Sequence, residues 1–393
     1  MHILDKNSIS IIGGAGHVGF PLGLAFALKK YDVKLVDINS ENLLKIKKGK
    51  IPFKEKNAGK ILKQCLKNKK IEFRGNLKNI SESKYIIICI GTPINDKLKP
   101  NVNYFLNFFY KLKKNLNKKH VVIIRSSIYP GLIKRVEKIL SNKNQNIVYC
   151  PERIVQGLSL EELPKLPQII AGNNISAVKD TKKIFKRITG KIIETNILEA
   201  ELIKLFSNAN RYINFSIANQ LYMICDENNL NFSKIRNIMR EGYERNLNLP
   251  NAGFTGGPCL LKDTMQLSSF YKKDFILGTG AMKINEGIPN LIIKKIKSIK
   301  RFKSKIVGVL GLSFKAETDD IRDSLSIKLL KKLKKNKIKY LQSDEYYQNK
   351  KNIPLKKLVK KSDIIVIGAP HKNYKKIKFN NKILIDVWGH IKK

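Results

Sequence analysis

The chain has few cysteines, few acidic residues and no long hydrophobic run. Its five cysteines are odd in number, widely spaced and without a Cys-x-x-Cys pair. This pattern is typical of reduced thiols in a cytosolic protein and predicts no metal site. The longest apolar run, residues 85–90, is far too short to span a bilayer. No apolar segment precedes the first predicted strand, so we expect no secretory signal, no membrane association and a cytoplasmic location.

The scarcity of acidic residues leaves a formal net charge of +46, from 77 Lys and Arg against 31 Asp and Glu. Such an excess is typical of nucleic-acid-binding proteins. However, only 11 of these residues are Arg, the Lys are spread along the whole chain, and no RNA-binding aromatic motif or zinc-finger spacing occurs. We therefore interpret the charge as a compositional bias of the surface and predict no nucleic-acid partner. A basic binding protein without catalytic activity is the alternative.

Hydrophobic runs and helical periodicity predict three successive parts of the chain. The first alternates strands with helices, which is typical of a parallel sheet covered on both faces. Its predicted strands are residues 8–13, 32–37, 85–91, 120–125, 146–150 and 168–172, with a helix over residues 18–29. Residues 199–229 contain no Gly or Pro and are apolar at helical spacing, so we predict a helix of about thirty residues that is able to carry a subunit interface. A smaller α/β unit follows, with strands at residues 305–312, 339–343, 363–369 and 382–387 and a helix at residues 324–335.

A glycine motif lies between the first predicted strand and the first helix. Gly14, Gly16 and Gly19 fit G-x-G-x-x-G, with His17 and Val18 between the last two. In this position the glycines permit a tight turn, a close approach to a pyrophosphate and close packing of helix and strand. Asp37 ends the next strand, where it is placed to bond a ribose 2′-hydroxyl and to repel a 2′-phosphate. The motif predicts NAD rather than NADP, but it does not specify the reaction.

Five further segments, together with the glycine motif, resemble the UDP-glucose/GDP-mannose dehydrogenase family over essentially the whole chain. They occur in the order of the family and at similar separations. They are residues 125–131 (RSSIYPG), 150–153 (CPER), 199–208 (EAELIKLFSN), 256–263 (GGPCLLKD), and 311–315 (GLSFK) with 319–324 (DDIRDS). The resemblance implies an NAD-dependent, four-electron oxidation of a nucleotide-sugar alcohol to a carboxylate, in at least a homodimer. It implies an α/β fold with a Rossmann-type NAD-binding domain over residues 1–195. A long-helix dimerisation and catalytic domain would cover residues 196–295, and a smaller Rossmann-like UDP-sugar-binding domain residues 296–393.

The resemblance and the chemistry agree on a nucleophile. A thiolate can trap an intermediate aldehyde, and Cys259 lies in a Gly-rich loop beside Lys262 and Asp263, unlike the other four cysteines. Lys204 and Asn208 are one helical turn apart, so they can present a cation and an amide to the same developing oxyanion.

The remaining site residues follow from the resemblance. It implies that Asp263 helps to activate water, that Glu152 assists hydrolysis, and that Ser127 holds a water or a substrate hydroxyl in place of the usual Thr. The NAD-binding residues are completed by Thr92, Pro93 and Ser127. The nucleotide-sugar contacts are completed by Glu152, Arg153, Lys204, Asn208, Arg211, Arg245, Asn251, Phe254, Gly256, Lys315 and Arg322.

One segment of the sequence also indicates the substrate. The segment C-P-E-R-x-x-x-G, which ends at Gly157, is more similar to the N-acetylhexosamine branch of the family than to the glucose branch. We therefore expect UDP-N-acetylmannosamine, with UDP-glucose and UDP-N-acetylglucosamine as alternatives. A two-electron dehydrogenase of the 6-phosphogluconate type is a further alternative, although a simple hydride transfer requires no nucleophile such as Cys259.

Overall fold

The computed structural model describes residues 5–77, 80–95, 97–143, 146–271 and 275–391. The chain divides into two compact units, Met1–Phe206 and Ser207–Lys393. Both are α/β, as predicted, and each is built around its own sheet. Among the described residues, no helix combines the length and the apolar character needed to cross a membrane.

The sheet of the first unit has eight strands in the order β3-β2-β1-β4-β5-β6-β7-β8. They are β1 Asp5–Ile12, β2 Asp32–Val36, β3 Ile71–Arg74, β4 Ser83–Ile88, β5 Val121–Ile124, β6 Ile147–Tyr149, β7 Gln168–Gly172 and β8 Ile192–Glu194. The helices are α1 Gly19–Leu28, α2 Ser40–Lys47, α3 Ala58–Lys67, α4 Val102–Leu112, α5 Leu132–Leu140, α6 Ser159–Glu162 and α7 Ile175–Phe185.

Both faces of this sheet are buried, as the alternation of strands and helices predicts. Val121 and Ile123 of β5 belong to the hydrophobic cluster on one face, and Val122 and Ile124 belong to the cluster on the other. Strands buried on both sides read as continuous apolar runs, which is why they could be located in the sequence.

One strand pair departs from the predicted parallel arrangement. β7 runs antiparallel to β6, pairing Val148 with Gly172 and Tyr149 with Ala171. Two parallel strands need a connection that returns the chain to the end of the sheet where the first strand began. The connection between β6 and β7 makes no such return. The chain therefore enters β7 at the end of the sheet where β6 stops.

A long helix, α8 Ile197–Glu227, begins in the first unit and continues into the second. It confirms the predicted helix of about thirty residues and begins two residues before the predicted start. Its buried side includes Leu205, Ala209 and Tyr212, whereas Phe206, Ile217 and Ile224 are exposed. The apolar repeat in the sequence therefore includes residues that the monomer does not bury.

The second unit combines helices with a four-stranded parallel sheet in the order β10-β9-β11-β12. The strands are β9 Val307–Leu310, β10 Tyr340–Ser343, β11 Ile364–Ile367 and β12 Ile383–Ile385. The helices after α8 are α9 Phe232–Arg240, α10 Leu260–Tyr271, α11 Ile276–Ser298, α12 Leu325–Lys335 and α13 Leu355–Lys361.

Asparagine begins several of these helices. The side chains of Asn39, Asn101, Asn174 and Asn231 each accept a hydrogen bond from the backbone N–H three residues later, at the start of α2, α4, α7 and α9. Such caps satisfy a backbone donor that the helix itself leaves without a partner. The abundant Asn of this chain therefore has a local structural use.

Candidate active site

The glycine motif forms the turn between β1 and α1, as predicted. A Cβ atom at Gly14 would lie 2.8 Å from the backbone oxygen of Ile11, and one at Gly19 would lie 2.3 Å from the backbone oxygen of Gly13. Only glycine fits where strand and helix approach so closely. Val18 precedes α1 and makes no side-chain cap hydrogen bond, so the positive end of the helix dipole faces the turn where a pyrophosphate would bind.

Asp37 lies beside this turn. Its Oδ2 accepts a hydrogen bond of 2.9 Å from the backbone N–H of Ala15, and its Oδ1 accepts one of 2.9 Å from Asn39. The next side chain, Ile38, is 92% exposed and brings no cation that could pair with a 2′-phosphate. The turn and its carboxylate thus fit NAD, which when bound supplies the hydride acceptor.

Two further residues predicted to bind NAD meet at the carboxyl ends of β4 and β5. The hydroxyl of Thr92 donates a hydrogen bond to the backbone oxygen of Ser127. The neighbouring Ser126 donates one of 2.7 Å to the backbone oxygen of Ile90. These bonds fasten the two loops that follow the strands, at the edge of a parallel sheet where ligands ordinarily bind. Pro93 continues the first of these loops.

Glu152 is held by a buried arrangement that the sequence did not reveal. Its Oε2 accepts a hydrogen bond from Arg125 Nη2, and its Oε1 accepts bonds of 2.6 Å and 2.7 Å from the backbone N–H groups of Arg153 and Ile154. Arg125 also donates a bond of 2.7 Å to Gln168 Oε1. Both carboxylate oxygens are therefore engaged by protein donors, and a direct part in hydrolysis stays a prediction.

The helix that carries Lys204 and Asn208 is anchored by a neighbouring carboxylate. Glu201 of α8 is fully buried and accepts hydrogen bonds of 2.6 Å and 3.1 Å from the backbone N–H groups of Gly131 and Ile133, at the start of α5. A carboxylate is well placed at a helix N-terminus. Lys204 and Asn208 are also buried, one turn apart on α8.

Cys259 is exposed and immediately precedes α10, where its backbone oxygen accepts a hydrogen bond of 2.9 Å from the backbone N–H of Asp263. The Asp263 side chain is fully buried. Its Oδ2 accepts a hydrogen bond of 2.6 Å from Asn208 Nδ2, and its Oδ1 lies 2.8 Å from Lys262 Nζ. Asn208, Lys262 and Asp263 thus form one polar cluster a single helical turn from the thiol of Cys259.

The other cysteines are poor nucleophiles. Burial raises the pKa of the Cys65 thiol to about 11 and the pKa of the Cys150 thiol to about 12. Cys225 is buried as well, whereas Cys89 is half-buried at the end of β4. Cys259, by contrast, is exposed, and its role as the nucleophile stays a prediction.

The predicted nucleotide-sugar residues of the second unit differ in their surroundings. Arg211, Arg245 and Asn251 are exposed, but the side chain of Phe254 is packed into the hydrophobic core of the unit. Phe254 therefore supports the loop from the inside, and its contact with a substrate stays a prediction.

Two cations lie on the segment after β9. Lys315 Nζ is 5.9 Å from the centroid of the Phe314 ring. The guanidinium of Arg322 donates to both carboxylate oxygens of Asp320. Burial lowers the pKa of Arg322, but the hydrogen bonds and charge of Asp320, followed by the charge of Cys259, raise it more.

Comparison with known proteins places the chain in a family. Residues 7–189 match the NAD-binding domain of the UDP-glucose/GDP-mannose dehydrogenase family, residues 198–286 match its central domain, and residues 308–393 match its UDP-binding domain. The chain is 29% identical to the UDP-N-acetyl-D-mannosamine dehydrogenase of Methanocaldococcus jannaschii, over 98% of this chain and 93% of that protein. It is 28% identical to the UDP-N-acetyl-D-mannosamine dehydrogenase of Pyrococcus horikoshii, over 95% of this chain and 93% of that protein.

The fold agrees with these matches. The structure of the UDP-D-ManNAc dehydrogenase from Pyrococcus horikoshii superposes with a TM-score of 0.88 at 27% identity, covering 98% of this chain and 96% of that one. The three family matches lie in order along almost the whole sequence, and the glycine turn fits the cofactor that the first of them names. The chain belongs to the UDP-glucose/GDP-mannose dehydrogenase family and is an NAD-dependent oxidoreductase.

Proposed function

We propose that this chain oxidises the C6 hydroxyl of a UDP-sugar to a carboxylate, with UDP-N-acetylmannosamine as the substrate. The observation that carries the proposal is the exposed thiol of Cys259 at the start of α10, with Asn208, Lys262 and Asp263 clustered one turn away. The names of the relatives from two archaea support the choice of sugar.

The reaction follows from the chemistry of a thiol. The alcohol first loses a hydride from C6 and a proton from its oxygen, which gives an aldehyde. Cys259 Sγ then adds to the aldehyde carbon to form a thiohemiacetal, and loss of a second hydride from that carbon and of the hydroxyl proton gives a thioester. Water adds to the thioester, the C–S bond breaks, and the carboxylate and the free thiol are released. NAD, when bound, accepts the hydride in each oxidation.

Each remaining group has a defined task in this scheme. Lys204 and Asn208 stabilise negative charge on the substrate oxygen as the carbon becomes tetrahedral. Asp263, which is buried and bonded to Asn208, orients the hydrolytic water. Ser127 holds a water or the substrate hydroxyl, and Glu152 shapes the adjoining loop. Arg322 and Lys315 provide cations for the diphosphate.

We further propose the three-domain organisation with limits at residues 195 and 295, a cytoplasmic location, and a role in supplying uronates for surface polysaccharides.

A homodimer or a higher oligomer is supported by the exposed apolar side chains of Phe206, Ile217 and Ile224 on α8. A second copy of the chain would cover them. Sedimentation of Ile217→Glu should then yield monomers where the natural chain yields dimers or larger assemblies.

The central test counts NADH formed for each sugar consumed, with UDP-N-acetylmannosamine, UDP-glucose and UDP-N-acetylglucosamine offered in parallel. Two NADH for each sugar are expected, with the first of these sugars preferred. Cys259→Ser should abolish completed turnover while the variant still binds NAD. One NADH for each sugar would instead favour the two-electron alternative, and no NADH with any of the three would reject the proposal.

A further inference from the structure

The end of the chain packs against the loop that precedes Cys259. A Cβ atom built at Gly253 would lie only 2.2–2.4 Å from three atoms of the Trp388 indole ring. Real Cβ atoms do not approach another atom so closely, so the ring rests directly on the backbone of the loop. Gly253 also has a φ of +156°, in the range that side chains rarely adopt.

Buried amides also hold the backbone of Gly253. Its backbone N–H donates a hydrogen bond of 2.8 Å to Asn219 Oδ1 on α8. Asn219 Nδ2 donates one of 2.8 Å to Asn285 Oδ1 on α11, and Asn285 Nδ2 donates one of 3.0 Å to the backbone oxygen of Tyr212. Asn219 and Asn285 are fully buried. The loop is therefore fixed both by the indole ring and by a chain of hydrogen-bonded amides that joins two helices.

The indole ring is itself held in place. Trp388 Nε1 donates a hydrogen bond of 3.0 Å to the backbone oxygen of Gly368, just after β11. The carboxylate of Asp386 accepts hydrogen bonds from the backbone N–H groups of Trp388 and Ile391, at 3.1 Å and 2.8 Å. These bonds fix both the direction of the ring and the turn that carries it.

Beyond Gly253, the loop is fixed again shortly before the nucleophile. The backbone N–H of Gly257 donates a hydrogen bond of 3.2 Å to the backbone oxygen of Asp323. A Cβ atom at Gly257 would lie 2.5 Å from Phe314. Residues 251–257 form the loop that these contacts fix. Two of them, Asn251 and Gly256, are predicted above to bind the nucleotide sugar. Trp388, near the end of the chain, contacts this loop at Gly253.

We propose that Trp388 is a positioning residue, which holds residues 251–257 in the shape that binds the nucleotide part of the substrate. The inference rests on the proposed function, because the loop must bind a UDP-sugar. A loop that is already ordered binds with less loss of conformational entropy, and small displacements of positioning groups are costly. Loss of the indole ring should therefore weaken the binding of the nucleotide sugar and leave NAD binding unchanged.

The first experiment compares Trp388→Phe and Trp388→Ala with the natural chain, using UDP as the probe in titration calorimetry. We expect Trp388→Ala to weaken UDP binding and raise the KM for the sugar about tenfold, with Trp388→Phe in between. Both variants should keep the KM for NAD within about twofold. Thermal melting of each variant checks that it folds.

The second experiment uses the contact itself. Gly253→Ala places a methyl group into the indole ring, so UDP binding should be strongly weakened. In Gly253→Ala combined with Trp388→Ala the methyl group has room, and part of the binding should return. Such non-additivity is expected only of residues in contact. Binding in the double variant that is no stronger than in Gly253→Ala alone would contradict the proposal.

Trp388 is the only tryptophan of the chain, so its fluorescence in the unaltered protein is a third measurement. UDP should change its emission, because the ring touches the loop that binds the nucleotide. If the natural chain fails to bind UDP, the proposed function and the role of Trp388 fail together. If it binds UDP, but the emission does not change and Trp388→Ala binds UDP equally well, the proposed function stands and the positioning role is wrong.

Discussion

Arg125 and Glu152 form an ion pair inside the first unit, where their side chains are only 1% and 10% exposed. Arg125 follows β5 and Glu152 follows β6, so the pair joins the loops at the ends of two neighbouring strands. Gln168, at the start of β7, accepts a further hydrogen bond from Arg125. The arrangement orients the loop from which both Glu152 and Arg153 are predicted to act.

Removing the cation should therefore destabilise the protein. Arg125→Met leaves a buried carboxylate without its partner, which costs about 3–5 kcal/mol in the free energy of unfolding. Arg125→Met combined with Glu152→Leu should recover much of this loss, because no charge then remains buried. Urea denaturation measures both variants.

The matched control is Lys182→Met, which breaks the exposed pair with Glu194 and should change the stability by less than about 1 kcal/mol. An equal loss of stability in Arg125→Met and in the control would show that the buried pair contributes no more to the free energy of unfolding than the exposed pair does.

The cysteines should differ sharply in reactivity with iodoacetamide. The thiolate attacks the reagent and displaces iodide, and burial raises the pKa of Cys65 to about 11 and that of Cys150 to about 12. Both therefore remain protonated between pH 7 and 9, whereas Cys259 is exposed. Mass spectrometry of the labelled peptides should find Cys259 modified first across this pH range. Earlier labelling of Cys65 or Cys150 in the folded protein would contradict the burial described here.

Asp37 should decide the choice of dinucleotide. Asp37→Ser removes the carboxylate beside the ribose and should raise the KM for NAD about tenfold, since hydrogen bonds to charged groups are worth ~1.5–3 kcal/mol. Adding Ile38→Arg places a cation at a position that is 92% exposed, so the double variant should turn over with NADP. The comparison is kcat/KM with each dinucleotide, and Ile38→Arg alone is the control. An unchanged preference for NAD in the double variant would show that Asp37 does not determine the choice between NAD and NADP.

Glu55 should make stability depend on pH. Burial raises the pKa of this carboxyl from 4.5, although Leu160, Ser159 and Gly157 donate hydrogen bonds to it. The folded protein therefore binds this proton more tightly than the unfolded chain. The natural chain should lose stability relative to Glu55→Gln as the pH rises from 4.5 through the raised pKa, and the difference should become constant above it. Denaturation at a series of pH values measures this, and a difference that stays constant with pH would be the contrary result.

The sequence predicted the parts of the molecule that depend on neighbouring residues. The turn from Gly14 to Gly19, the carboxylate of Asp37 at the end of β2, and the length of α8 each follow from spacing within one or two elements. Continuous apolar runs identified most strands of both sheets, because strands buried on two faces have no polar positions. The resemblance of the motifs added the family, which the comparisons confirmed.

Contacts between distant residues could not be predicted in this way. The antiparallel pairing of β7 depends on the path of a connection, and the partners of Arg125 lie 27 and 43 residues away. The contact between Trp388 and Gly253 joins the end of the chain to the loop before Cys259. A sequence determines local conformation through residue size, φ preference and periodicity. Only the tertiary structure decides which buried donor meets which acceptor, because that pairing depends on how whole elements pack.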